Sequence, residues 1–113
     1  MAALTNLLVE QGATFSTTIT LYNADDTIFD LTGYTAASQI RKSYSSSSAS
    51  ATFSVTFSDS RADGNLTLSL TPTQTAALEE GRYVYDTEVT LTSTGAVTRV
   101  LQGVVTVSPN VTR

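Results

Sequence analysis

The segment Leu78–Asp86 reads LEEGRYVYD, two tyrosines and three acids within nine residues. It is either a reactive cluster or a structural joint, and its flanks favour the joint. Upstream, Thr71-Pro72-Thr73-Gln74 has the composition of a helix start: Thr71 can cap the first amides, proline fits the first turn, and Gln74 completes a capping box. Ala76, Ala77 and Leu78 favour helix, and Gly81 is placed to end it in a left-handed conformation after about two turns. Downstream, Tyr83, Tyr85, Val89 and Leu91 share one face of an extended strand, with Asp86 and Glu88 on the other. An inward tyrosine just after such a crossover pins it when its hydroxyl bonds to backbone a few residues upstream. Tyr83 and Gly81 are therefore the expected structural corner, with Tyr85 filling the neighbouring core.

Elsewhere the period is two. Phe15, Thr17, Ile19 and Leu21 alternate with Thr14, Ser16, Thr18 and Thr20; Phe53, Val55 and Phe57 alternate with small polar residues; so do Leu66, Leu68 and Leu70. Alternation rich in β-branched residues marks half-buried strands. Strands are expected near 4–10, 13–22, 34–42, 51–58, 65–71, 82–92 and 97–107, with a short extended piece at Ile28-Phe29. Asn23 to Asp26, Asp59 to Gly64 and Ser93 to Gly95 are turn compositions. Gly12 divides the first two strands at a bulge or a switch between sheets, and Ser43 to Ala51 is a low-complexity loop expected to be mobile. With no βαβ rhythm, these elements predict one all-β domain spanning 1–113. Its fold is an Ig-like antiparallel β-sandwich of about seven strands, with a single short helix between strands five and six. The expected core is Phe15, Ile19, Leu21, Ile40, Phe53, Val55, Phe57, Leu66, Leu68, Leu70, Leu78, Tyr83, Tyr85, Val89 and Leu91.

Charged residues make up 14% of the chain and the net charge is −4, with six basic against ten acidic residues. Hydroxyl residues, about a third of the chain, supply polarity that charges usually provide. A thinly charged surface suits packing against partner proteins, since few ions must be desolvated. The acidic balance argues against a nucleic-acid partner, which needs a basic patch. No stretch has the length of a membrane span, and MAALTNLLVEQG lacks the cationic start of a signal peptide.

Without His or Cys, histidine-dependent triads and Cys/His zinc sites are excluded. Carboxylates remain: Asp25, Asp26 and Asp30 near one loop, and Glu79-Glu80 beside the helix. Paired-carboxylate hydrolysis needs two acids facing across a cleft, whereas these sit in turns. Asp59-Ser60-Arg61-Ala62-Asp63-Gly64 resembles the start of a calcium loop, but Arg61 takes the third ligand position and no glutamate follows at the twelfth. A solvated turn is the better reading. No catalytic, cofactor-binding or metal residue is assigned, and no enzyme is expected. Asn65-Leu66-Thr67 and Asn110-Val111-Thr112 match the glycosylation sequon. Arg99 is placed to pair with Asp86 or Glu88 across strands. Tyr22, Tyr34 and Tyr44 are the aromatics available to a sugar-binding surface.

Three stretches, DLTGYTAASQIRKS (Asp30 to Ser43), LSLTPTQTAALEEGRYVYDTEV (Leu68 to Val89) and VTRVLQGVVTVSPNVTR (Val97 to Arg113), together resemble a group of small β-sandwich proteins of tailed bacteriophages common in marine and cyanobacterial phages. The pattern is similar to the N-terminal domain of upper-baseplate and fibre-attachment proteins. The resemblance implies a non-enzymatic virion protein, made in the host cytoplasm, acting in the tail, baseplate or fibre attachment. Capsid decoration on the head and a carbohydrate- or cell-surface-binding module are the alternatives. Implied partners are other virion proteins or further copies of the chain, with neither nucleic acid nor membrane. The expected contact elements are sheet edges, the loop bearing Tyr44, and the tail, where Pro109 stops the last strand and frees Val111 and Arg113 to dock elsewhere.

Overall fold

A computed structural model describes residues 3–111 and shows two packed sheets with one short helix. The large sheet is built from β1 (Ala3–Leu4), β2 (Leu7–Glu10), β4 (Tyr34–Arg41), β5 (Ala51–Thr52), β8 (Gly81–Leu91) and β9 (Val97–Ser108). Its order is β1-β9-β8-β4-β5, with β2 also on β9. The small sheet is β3 (Phe15–Thr20), β7 (Asn65–Leu70) and β6 (Ser54–Phe57), in the order β3-β7-β6. The helix α1 (Pro72–Ala76) links β7 to β8. This is the all-β, Ig-like sandwich that the alternation predicts.

Four details depart from the sequence reading, each for a local reason. The first strand is not antiparallel. It breaks at Thr5-Asn6, and both pieces run parallel to β9, in the registers Ala3↔Leu101 and Leu7↔Val105. The break is held by the Thr5 amide on the Gln102 carbonyl (2.9 Å) and the Val104 amide on Asn6 Oδ1 (3.1 Å). Gly103 lies beneath it, where a Cβ would overlap the Thr5 carbonyl oxygen and come within 3.1 Å of Asn6 Oδ1.

The predicted strand 51–58 likewise splits. Ala51–Thr52 pairs with β4, Ser54–Phe57 pairs with β7, and Phe53 turns its ring into the core between Phe15 (5.8 Å) and Tyr85 (6.0 Å between centroids). The helix is shorter than predicted, with Ala77 as its C-cap in right-handed geometry. Gly81 therefore does not end it; with φ of 131° it opens β8 instead. The expected cap is present: Thr71 Oγ1 accepts from the Gln74 amide (3.2 Å), and Gln74 Oε1 accepts from the Thr71 amide (2.9 Å).

The fourth departure concerns the core, which reaches beyond the strands that alternate cleanly. Val9, Leu31, Val100, Leu101, Val105 and Val107 join it, while Phe15, Ile19, Val55, Phe57 and Leu91 are only half-buried. A β-bulge explains one pair. Thr87 faces Leu101 and Glu88 faces Arg99, so Val100 is an extra residue and consecutive Val100 and Leu101 both turn inward. The buried hydroxyls are satisfied internally: Thr87 donates to Ser38 Oγ (2.9 Å), which donates to the Asp86 carbonyl (2.7 Å). Thr75 accepts from the Gly12 amide and donates to the Ala13 carbonyl, fixing the switch between sheets to the helix.

Gly103→Ala is expected to destabilise the fold by about 1–3 kcal/mol in urea denaturation, because the atoms that the added methyl would overlap belong to the Thr5 backbone. An unchanged midpoint would show that Thr5 does not cross this glycine.

Candidate interaction surfaces

The carboxylates in the loops serve as turn acceptors. Asp25 Oδ1 accepts from the Thr27 amide (3.1 Å) and hydroxyl (2.6 Å), and Asp30 Oδ1 accepts from the Thr32 amide (2.9 Å). The Thr27 side chain and amide beside Asp25, and the Thr32 side chain and amide beside Asp30, hold both carboxyls below the usual carboxylate range, the wrong direction for a general acid. The segment 59–64 forms a 3-10 turn (Arg61–Asp63) closed by Gly64 at φ 69°. Its Arg61 guanidinium stacks 3.9 Å from the Phe57 ring centroid, which puts a cation in the turn that resembles a calcium loop. Among the described residues no group of three or more His, Cys, Asp or Glu side chains could hold a metal ion.

The two tyrosines of LEEGRYVYD are structural. The Tyr83 hydroxyl donates to the Glu79 carbonyl at 2.8 Å, the geometry of a tyrosine corner, and Lys42 Nζ sits 4.6 Å from its ring centroid. The Tyr85 hydroxyl donates to the Thr5 carbonyl at 2.6 Å, clamping the strand break that lies over Gly103. Desolvation by burial raises the Tyr83 phenol and pushes the Tyr85 phenol up to about 12. The sequence reading foresaw the corner bond but not the second clamp, because no local signal links Tyr85 to Thr5.

Surfaces, rather than a pocket of reactive groups, distinguish the molecule. On the outer face of the large sheet, pairing sets Leu4, Gln102, Asp86 and Gln39 in one row and Val104, Val84 and Arg41 in the next. Arg99 Nε lies 3.3 Å from Asp86 Oδ2, a half-exposed surface pair of small energetic weight. Tyr44, 78% exposed, borders a shallow depression of about 180 Å³ with Gln39, Arg41, Val84, Asp86 and Arg99. Its loop, expected to be mobile, is hydrogen-bonded at its start: Ser43 and Ser46 bond each other, and the Arg41 guanidinium donates to the Ser46 carbonyl. Of the other aromatics, Tyr22 is exposed, whereas Tyr34 is half-buried edge-on against Phe29.

The outer face of the small sheet carries Ser16, Thr18 and Thr20 on β3, Asn65, Thr67 and Ser69 on β7, and Ser54 and Thr56 on β6. No charge stands among them. Cross-strand bonds order this face, Thr18 to Thr67 at 2.8 Å and Thr20 to Asn65 at 2.6 Å. In the tail, Pro109 follows the end of β9, and the chain stays beside the end of β2, where the Asn110 amide donates to Gln11 Oε1 (3.4 Å). Val111 projects into solvent, 92% exposed. Arg113, like Thr112 of the second sequon, lies outside the described residues.

No protein-family model and no curated protein matches the sequence. Among solved structures, InlP of Listeria monocytogenes is similar with a TM-score of 0.50 at 16% identity, covering 95% of this chain and 28% of that one. The Ig1-2 module of the Drosophila receptor protein tyrosine phosphatase DLAR gives 0.45 at 14%, covering 95% and 46%. The Lin-41 filamin domain gives 0.41 at 16%, covering 89% and 82%. The chain thus spans less than half the length of the first two, and at these identities the likeness is one of fold alone.

The clamp predicts an alkaline signature. An unfolded tyrosine ionises near 10, whereas folded Tyr85 keeps its proton to about 12. Its contribution to stability is therefore complete below pH 10 and is lost as pH rises toward 12. Stability measured across that window is expected to fall in the native protein and to fall less in Tyr85→Phe, with the remaining slope coming from Tyr83. Equal slopes would remove Tyr85 from the linkage.

Proposed function

We propose that this protein is a non-enzymatic structural protein of a bacteriophage virion, an assembly module of the tail, baseplate or fibre attachment. The observation that carries the reading is the uncharged outer face of the small sheet, which a partner subunit can cover without stripping water from an ion. The resemblance to phage sandwich proteins supplies the setting. Its three stretches supply β4, most of β8 and β9, adjacent strands of the large sheet, together with the end of β7 and α1. Their recurring residues have structural work: Leu31 is buried, Gly33 turns at φ 82°, Tyr83 forms the corner, and Gly103 passes under Thr5. A scaffold of this kind acts by holding faces, loops and edges in fixed relation to neighbouring subunits.

Quantitative mass spectrometry of purified particles tests the assignment. A copy number that is a small multiple of three or six is expected, matching tail and baseplate symmetry. Hundreds of copies would move the protein to the head as capsid decoration, and absence from the particle would sink the virion reading. A second reading, carbohydrate or cell-surface binding, is favoured by the exposed Tyr44 ring beside Gln39, Arg41 and Asp86, an aromatic next to polar side chains. Selective signal on a glycan array, lost in Tyr44→Ala, would establish it; a silent array leaves the assembly reading in front.

A further inference from the structure

The two sides of the sandwich are closed differently. On one, the chain itself crosses between sheets at Phe53, whose amide donates to the Ser38 carbonyl at 3.0 Å. Arg61 reinforces that side, donating to the Tyr34 carbonyl while stacking on Phe57. On the other, among the described residues, no strand joins β3 to β1 and β2. Constant-type immunoglobulin sandwiches have a four-stranded sheet whose first strand occupies that edge. Here the first strands lie on β9, and the small sheet stops at three.

The register tells what the open edge presents. Leu21 donates to the Gly64 carbonyl directly opposite at 2.8 Å, so Ile19–Leu66, Thr17–Leu68 and Phe15–Leu70 are the hydrogen-bonded pairs. The alternate residues Ser16, Thr18 and Thr20 aim their amides and carbonyls away from β7. The strand FSTTIT carries none of the charges, prolines or bulges that blunt an edge. Beside its C-terminal half, a cleft of about 240 Å³ opens between the sheets, apolar at Ala3, Ile19, Leu21, Phe29, Val100 and Leu101 and polar at Thr5, Thr20, Asn23 and Thr98, with no charged residue among the described residues of its lining. The apolar part of the wall favours an apolar side chain, while a charged one would lose its hydration without a counter-ion.

We propose that the β3 edge is a strand-addition site. An extended, uncharged segment of a partner protein pairs with the backbone of Ser16, Thr18 and Thr20 and turns an apolar side chain into the cleft. Backbone pairing supplies sequence-independent affinity, and the cleft selects the side chain. The β3 strand of a second copy does not meet the requirement, since its Phe15, Ile19 and Leu21 already pack against its own core. The site refines the assembly reading and rests on it only for the partner being a protein of the particle.

The test uses the whole protein and immobilised synthetic peptides that alternate threonine with valine, leucine or phenylalanine, beside a matched series with aspartate or lysine at the alternate positions. The uncharged peptides are expected to bind and to slow hydrogen exchange at the Ser16, Thr18 and Thr20 amides. Thr18→Pro, which removes an amide the ladder leaves unused, is expected to weaken binding by about tenfold or more. Ala3→Arg, a charge on the exposed cleft wall, should give the same loss and serves if the proline variant fails to fold. The proposal is overturned if no uncharged peptide binds, if the charged series binds equally, or if sedimentation shows β3-dependent dimers instead. Peptide binding by a protein absent from particles would sink the assembly reading and leave the site standing.

Discussion

The crossing of Thr5 over Gly103 is the contact on which the architecture turns. Only a residue without a Cβ lets the N-terminal backbone settle against β9, and the Tyr85 hydroxyl then holds it from below through the Thr5 carbonyl. That bond is partly shielded from water, which gives it more weight than a fully exposed one. With the N-terminal strands fixed to β9, the large sheet gains both of them and the small sheet ends at β3. An open edge beside an uncharged cleft is thus the other side of the same close approach.

Much of this was legible in the sequence, and the limits have physical causes. Period-two alternation located the strands, since pleating forces alternate residues to opposite faces. The capping box and the corner were legible because each is closed within a few residues. The parallel pairing of β1 and β2, the split at Phe53 and the early end of α1 were not. Alternation gives a strand's faces but not its neighbours, and a strand that changes sheet at an inward phenylalanine keeps the pattern of one that does not. Val100 and Leu101 break alternation because a bulge turns both inward, so the core reading passed over them. The candidate surfaces were legible only in outline. Tyr44 and Val111 stand exposed as a loop and a tail would have them, yet the tail is tied to Gln11 where release was expected.

Groups that often signal chemistry are here engaged in geometry. Asp25 and Asp30 hold turns, Arg61 braces a side of the sandwich, and the hydroxyls of Ser38, Thr75 and Thr87 satisfy one another or nearby backbone in the interior. Further serines and threonines cover the outer face of the small sheet, where they confer polarity without the hydration cost of ions. A surface of that kind keeps a protein dispersed while leaving little penalty for covering it.

The parallel pairing also sets an order of events at synthesis. Asn6 and Val104, which bond at the strand break, stand 98 residues apart. At about 5–20 residues per second, β1 and β2 leave the ribosome on the order of 5–20 seconds before the strand they need. Until then Leu7 and Val9 have no sheet to cover them, and the loop they must close is almost as long as the chain. The pairing of β1 and β2 therefore cannot form before nearly all of the sandwich has been made.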